Sequence, residues 1–277
     1  MSASASSPFD VAGRVILVTG SSRGIGRGVA EHLAANGAAV VIHARTVEAL
    51  ADVHTSITSL GGEALPVAAD VRDAATLQDA MSAVRSRFGR LDGVVANVGG
   101  AGFGPAATLT VDRWRRQLEL NLTSGFVTLQ AAYPLLKAAR GAAVLVAATA
   151  ATNPTPQFSA YGAAKAGIAQ LVGSLAAEWG PEVRVNCISP GLIRTEGSFK
   201  AVFQGSEERA ARAGATTAVG RIGEPSDIAY ACQYLLSAAA GYVSGATLVL
   251  DGGPTEGPTQ RILRALDDER PERAGDG

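Results

Sequence analysis

The chain is poor in cysteine, in histidine and in net charge, and each scarcity removes a class of function. It has 2 cysteines, Cys187 and Cys232, each in an apolar context and neither in a CxxC or metal-ligand spacing. Both read as buried thiols in a reducing compartment. The 3 histidines, His32, His43 and His54, are scattered without carboxylate or cysteine companions at ligand spacing, so no metal site is expected and local structural or surface roles remain. Lys plus Arg number 24 against 25 for Asp plus Glu, a net charge of -1. So balanced a chain offers no electrostatic reason to bind nucleic acid or an anionic membrane, and any anion recognition must be local. Long hydrophobic runs are missing too. The longest, near Ala142 to Ala151, is too short to span a bilayer and reads as a buried strand. The Ser/Ala-rich stretch from Met1 to Pro8 lacks the basic and apolar regions of a signal peptide. A soluble cytoplasmic protein with no membrane partner is the expectation.

What the chain does have is apolar content, 47% of its residues, much of it Ala and Val. Short apolar runs alternate with helical patterns. Arg14 to Thr19, Ala39 to His43, Ala64 to Ala69, Leu91 to Asn97, Ala143 to Ala148, Val183 to Ile188 and Thr247 to Leu250 read as strands. Between them lie helical stretches: Ile25 to about Asn36 with Gly37 as its cap, Thr46 to Leu60 ended by Gly61 and Gly62, Ala74 to Phe88, Val111 to Arg140 with Pro134 kinking or dividing it, Ser159 to Gly180, and Pro225 to Ser237. Strands this apolar are buried on both faces, as in a parallel sheet covered by helices. Repeated βα units point to an α/β fold, a single-domain Rossmann-like doubly wound sheet of about seven strands with helices on both faces. The expected organisation is a flexible segment 1–10, a catalytic domain 11–253 and a charged tail 254–277 with a short helix near Thr259 to Asp268. Within the domain, Leu192 to Val219 is polar and Gly/Ala/Thr-rich and reads as a substrate lid.

After the first strand comes Thr19-Gly20-Ser21-Ser22-Arg23-Gly24-Ile25-Gly26. Glycines here let the backbone turn tightly and approach a pyrophosphate, while the following helix offers unpaired N–H groups and its positive end. An NAD site usually carries an acid about 20 residues further on, to hold the ribose 2′-hydroxyl. That place reads Ile42-His43-Ala44-Arg45-Thr46, without an acid. Arg45 there and Arg23 inside the turn suit a 2′-phosphate, so NADP(H) is preferred over NAD(H). Either Arg alone is more often a solvated surface residue; the pair, with the missing acid, carries the reading.

Taken in order, the glycine turn, Asp70-Val71, Asn97-Val98-Gly99, Asn121, Tyr161-Gly162-Ala163-Ala164-Lys165, Pro190-Gly191 with Thr195, and Leu250 to Gly253 make the chain similar to the short-chain dehydrogenase/reductase family. The similarity runs from about Gly13 to Gly253. Tyr161 and Lys165 lie one helical turn apart on one face. A nearby ammonium lowers a phenol's pKa, as would the charge of an oxidised nicotinamide, so Tyr161 is read as the acid/base group. The resemblance implies that Lys165 also holds the nicotinamide ribose and that Asn121 supports a water linking Lys165 to solvent. It further implies that the cofactor meets Gly20, Ser22, Arg23, Gly24, Ile25, Gly26 and Arg45, the Asp70 side chain and Val71 backbone at the adenine, Asn97 and Gly99 beyond the fourth strand, and Pro190, Gly191, Ile193 and Thr195 over the nicotinamide. One departure stands out. The family usually places a Ser thirteen residues before the Tyr, and here that residue is Ala148. Thr149, twelve before Tyr161, is the candidate orienting donor after a one-residue shift; the alternative is a plain strand-end Thr with no donor present.

The expected activity is hydride transfer between NADP(H) and a small-molecule carbonyl/alcohol pair. A non-redox isomerase or lyase on the same scaffold, and a non-catalytic NADPH-binding regulator, are the alternatives. Phe103, Phe158, Phe199 and Phe203 suggest an apolar pocket, and Trp114 and Trp179 read as packing residues. Family members usually form homotetramers or homodimers, and the small-residue helix Ala163 to Ala177 is compatible with close helix contact.

Overall fold

The computed structural model describes residues 7–254. The segment 1–6 and the expected tail beyond Pro254, with its helix near Thr259 to Asp268, lie outside the described residues. Seven strands form one parallel sheet: β1 (Val15–Val18), β2 (Ala39–Ala44), β3 (Glu63–Ala68), β4 (Gly93–Ala96), β5 (Ala142–Val146), β6 (Arg184–Pro190) and β7 (Thr247–Leu250), in the order β3-β2-β1-β4-β5-β6-β7. The expected doubly wound Rossmann-like architecture is what is found. Strand order reverses between β1 and β4, where such sheets leave a crevice for ligands outside the strand carboxyl ends.

The sheet is covered on both faces because its central strands β1, β4 and β5 carry no polar side chain. Ile16 and Val18 of β1 point into one core and Val15 and Leu17 into the other; on β5, Ala142, Val144 and Val146 alternate likewise with Ala143 and Leu145. The first core is closed by α1 (Gly24–Ala35), α2 (Ala51–Ser59) and α9 (Pro225–Leu236), through Val29, Leu33, Val53, Ile228 and Leu235. The second is closed by α3 (Ala74–Phe88), α5 (Ser124–Ala139) and α6 (Ser159–Trp179), through Leu77, Val84, Leu129, Leu136, Ile168 and Val172. Cys187 and Cys232 are both free and buried. Among the described residues, no helix is long and apolar enough to cross a membrane.

Several local expectations change. The stretch Val111 to Arg140 is not broken at Pro134, which lies inside α5. It is broken earlier, where α4 (Val111–Leu118) passes through a π-helical turn, Glu119–Thr123, before α5 begins. Leu135 and Leu136 beside Pro134 are buried against the second core, and that packing offsets the lost backbone bond. Thr46 and Val47 stay outside helix, since α2 is entered through a 3₁₀ turn at Glu48–Leu50. Pro66 sits in β3, tolerated because β3 is an edge strand. The segment 192–219, read only as polar and Gly/Ala/Thr-rich, holds α7 (Glu196–Ala201) and α8 (Glu207–Gly214). Phe203 there is 2% exposed and packs with Phe199, Ala210 and Ile222, so this Phe pair forms a small core of its own instead of lining a pocket.

Candidate active site

The crevice begins with the glycine turn. Gly20 and Gly24 have φ of +65° and +58°, and α1 starts at Gly24 with no side chain capping its first N–H groups. Those donors therefore remain available to an anion. A Cβ on Gly26 would lie 2.3 Å from the Gly20 carbonyl oxygen and 2.6 Å from Asn97 Nδ2, so only glycine permits this tight approach of α1 to the turn. Asn97 spends its amide as a brace, donating from Nδ2 to the carbonyls of Thr19 (3.1 Å) and Gly20 (3.4 Å). Ser22 and Arg23 lie in the turn itself, and Ile25 packs against the first core. The cradle thus fits a dinucleotide pyrophosphate by its own geometry.

His43 contributes a support for the turn that its sequence context alone did not assign. It is buried at the end of β2; its Nδ1 lies 3.2 Å from the Gly20 N–H and its Nε2 3.1 Å from the Ala69 carbonyl. This arrangement fits a neutral ring protonated on Nε2, accepting from Gly20 and donating to Ala69. Burial lowers its pKa from the usual 6.5. Two residues on, Arg45 is exposed. Asp70, the expected adenine contact, is held by the Arg72 guanidinium (Nε to Oδ1, 2.9 Å), whose hydrogen bonds bring its carboxyl down to about 2. The Asp70 carboxylate and two cations, Arg45 and Arg72, thus share this end of the crevice. Val71 beside it is 5% exposed.

At the other end, three residues distant in sequence converge. A Cβ on Gly99 would lie 2.9 Å from Asn121 Oδ1 and 3.1 Å from Lys165 Nζ. Asn121 sits within the π-helical turn and exchanges hydrogen bonds with Gly100, accepting from its N–H (2.9 Å) and donating to its carbonyl (3.1 Å). Its Nδ2 also approaches Gln117 Oε1 (3.2 Å), which accepts from the Gly102 N–H at 3.2 Å as well. Gln117 therefore couples the loop after β4 to Asn121. No sequence signal pointed to it, because a Gln on an exposed helix pattern is ordinary.

Lys165 is 3% exposed and donates from Nζ to the Val146 carbonyl at 2.8 Å. Burial pulls its ammonium from 10.5 down to about 8. Nζ stands 5.7 Å from the centroid of the Tyr161 ring. Here the sequence expectation needs correction: the Tyr161 phenol is not lowered but raised, by burial. The ammonium is turned toward a backbone carbonyl, and both groups pay desolvation, which favours their neutral forms. The Tyr161 hydroxyl has no hydrogen-bond partner among the described residues, and neither does that of Thr149, which opens a 3₁₀ turn, Thr149–Ala151, packed against α6. Neither hydroxyl is sealed from solvent. Ala148, in extended conformation, offers no donor from its side chain.

Beyond β6, Gly191 donates its N–H to Leu250, and Ile193 is 6% exposed and bridged to Gly223. Thr195 caps α7, its hydroxyl accepting from the Ser198 N–H at 3.1 Å, and its Cγ2 would meet a Cβ on Gly24 at 3.4 Å. The Pro190–Thr195 segment thus reaches across to the glycine turn. Among the described residues no group of His, Cys, Asp and Glu could hold a metal ion.

The sequence and the fold have counterparts among known proteins. A family profile described as enoyl-(acyl carrier protein) reductase matches residues 20–255. The D-threitol dehydrogenase of Mycolicibacterium smegmatis is 41% identical over 255 residues, covering 89% of this chain and 95% of that protein. The chain belongs to the short-chain dehydrogenase/reductase family of oxidoreductases. Solved members of the family superpose closely. A 7α-hydroxysteroid dehydrogenase complexed with NADH and 7-oxo glycochenodeoxycholic acid is 30% identical with a TM-score of 0.84, over 90% of this chain and 97% of that one. A protein assigned as an NAD(P)-dependent gluconate 5-dehydrogenase of Beutenbergia cavernae, with bound NADP, is 32% identical with a TM-score of 0.81, over 89% and 98%.

Proposed function

We propose that this short-chain dehydrogenase/reductase interconverts a small carbonyl compound and its alcohol using NADP(H), with Tyr161 as the acid/base group. The observation that carries the reading is the convergence of Gly99, Asn121 and Lys165 beside Tyr161, at the carboxyl edge where the strand order reverses. When bound, the nicotinamide supplies hydride to the carbonyl carbon or takes it back. In reduction Tyr161 gives its proton to the carbonyl oxygen; in oxidation it removes the proton from the alcohol. A phenol raised by burial is protonated at neutral pH and ready to donate. Lys165 holds its ammonium 5.7 Å from the centre of the Tyr161 ring and would hold the ribose hydroxyls of the bound cofactor. Asn121, fixed by Gly100 and Gln117, supports a water that returns protons to Lys165. Thr149 orients the substrate oxygen in place of the missing Ser, and its partnerless hydroxyl supports that role.

The preference for NADP(H) rests on Arg45, exposed at the end of β2 where no acid stands, with Arg23 at the turn. Asp70 and Val71 take the adenine, and Asn97, Pro190, Gly191, Ile193 and Thr195 line the remaining cofactor path. Segment 192–219 closes over the substrate as a lid. Exposed small residues on α6, Ala163, Ala166, Gly173 and Ala177, support self-association as a dimer or tetramer.

Purified protein incubated with NADPH and a carbonyl panel, followed by nicotinamide absorbance, tests the reading. Tyr161→Phe should lower turnover by about 10²–10⁴-fold and Thr149→Val by roughly a hundredfold, both with NADPH binding intact. Arg45→Ala should weaken NADPH by about tenfold and spare NADH. Binding of NADPH without turnover across the panel would favour a non-redox enzyme or a regulator.

A further inference from the structure

The loops that follow β4 and β5 leave the same edge of the sheet, because both strands are parallel. Each brings one phenylalanine to that edge. The Phe103 and Phe158 rings stack, with centroids 6.1 Å apart and planes at 28°. Phe158 in turn meets the Tyr161 ring edge-on, at 6.2 Å and 68°. The three rings form a continuous aromatic row running outward from the phenol.

Phe103 is 67% exposed, an unusual place for a large apolar ring, yet the loop that bears it is held at three points. The Gly102 N–H donates to Gln117 Oε1 at 3.2 Å, Arg113 Nη2 donates to the Phe103 carbonyl at 3.2 Å, and the Gly104 N–H donates to the Gln157 carbonyl at 2.9 Å. Gln157 accepts that last bond from a left-handed backbone, φ +69°, a conformation that costs energy outside glycine and persists where surrounding structure demands it. It is the residue directly before Phe158, so the clasp between the two loops also sets the ring beside Tyr161. Two hydroxyls beside this row donate to backbone, Thr152 Oγ1 to the Thr149 carbonyl at 3.3 Å and Thr155 Oγ1 to the Asn153 carbonyl at 3.0 Å, which leaves the Thr149 and Tyr161 hydroxyls for a single substrate oxygen. A preorganised aromatic face binds flat apolar groups by stacking and supplies no hydrogen-bonding group of its own to a row of alcohol hydroxyls.

We infer that the substrate carries a ring, alicyclic or aromatic, fused or attached next to its carbonyl or secondary alcohol, and that Phe158 and Phe103 are the residues that select it over open-chain polyhydroxy compounds. This rests on the oxidoreductase reading above for its turnover arm, but not for its binding arm. The ring lies against Phe158 with its oxygen toward the Tyr161 hydroxyl, and Phe103 extends the contact outward.

The test compares 2-tetralone with erythrulose on the full chain with NADPH, and measures binding of 2-tetralol to the NADP⁺-loaded protein by calorimetry. The ratio of kcat/KM for 2-tetralone to that for erythrulose should favour the ring ketone by about a hundredfold or more, since two aromatic contacts and their buried area each contribute about tenfold. Phe158→Ala should lower this ratio about tenfold, mostly through KM for the ring ketone, and weaken 2-tetralol binding to match. Phe103→Ala, which alters an exposed ring, should act in the same direction without a folding penalty, and Phe158→Tyr should preserve the ratio. Ring-alcohol binding weakened by Phe158→Ala in a protein that reduces neither ketone would uphold the aromatic selection while refuting the oxidoreductase reading. Equal use of both ketones, a ratio unmoved by either alanine variant, or absence of 2-tetralol binding would overturn the inference.

Discussion

Lys165 keeps a titratable amine where a charge is costly, and the cost has a pH signature. The side chain is 3% exposed, and burial lowers its ammonium from 10.5 to about 8. Because the folded value lies below the unfolded one, the folded protein binds fewer protons than the unfolded chain between these values, and this group makes stability rise with pH across that window. With values of about 8 folded and 10.5 unfolded, linkage gives the wild type about 2 kcal/mol of added stability between about pH 7 and about pH 9.5. Lys165→Met keeps the length and apolar stem but removes the titration. At neutral pH the variant is relieved of about 3 kcal/mol of cation burial and loses a charge-assisted bond to the Val146 carbonyl of about 1.5–3 kcal/mol, so the two proteins should be close in stability. At about pH 9.5 the wild type should lead by about 2 kcal/mol, roughly 4–8 °C in Tm for a chain of this size. Thermal unfolding of both proteins, followed by circular dichroism in matched buffers without cofactor, measures the gap. Cys187, whose thiol the Lys165 charge pulls down, is held up at about 11 by burial and stays protonated in both proteins over this range, so a gap that stays constant would refute the assignment of a buried, depressed lysine.

Other perturbations follow from the same geometry. Gly26→Ala would force a Cβ to within 2.3 Å of the Gly20 carbonyl, so the turn must open, with an expected loss of about 1–3 kcal/mol and weaker dinucleotide binding; an unchanged Tm would contradict the close approach. His43 is held neutral by burial, with its pKa below 6.5, so its contribution to stability is present above that value and declines as pH falls below it; a ring nitrogen NMR titration centred at or above 6.5 would contradict this. Gln117→Leu strands the Gly102 N–H and part of the Asn121 amide, which should cost about 1–3 kcal/mol in denaturant unfolding, while Gln117→Glu, which keeps an acceptor, should cost much less.

Much of this protein was already legible along the chain. Strands such as Val15–Val18 and Ala142–Val146 are short apolar runs, and a segment buried on both faces has to be apolar at every position. Helix ends were marked by residues with local conformational roles, as at Gly37 and Gly61, where φ is positive. The spacing of Tyr161 and Lys165 on one helical face is a property of helix geometry alone. Tertiary structure decided what depends on distant partners. The π-helical turn at Asn121 belongs to the packing of that segment against Gly100 and α6, not to its own periodicity. Lys165 is depressed because the fold buries it beneath elements far off in sequence, against the opposing pull of Cys187, and the phenol of Tyr161 rises through burial where a charged neighbour alone would have lowered it. Phe103 and Phe158 stack across two loops, whereas Phe199 and Phe203, equally apolar on paper, close a core of their own. Periodicity and turn chemistry act within a few residues, so they can be read directly; desolvation and side-chain juxtaposition sum over whatever the fold brings near, and only the folded chain specifies that.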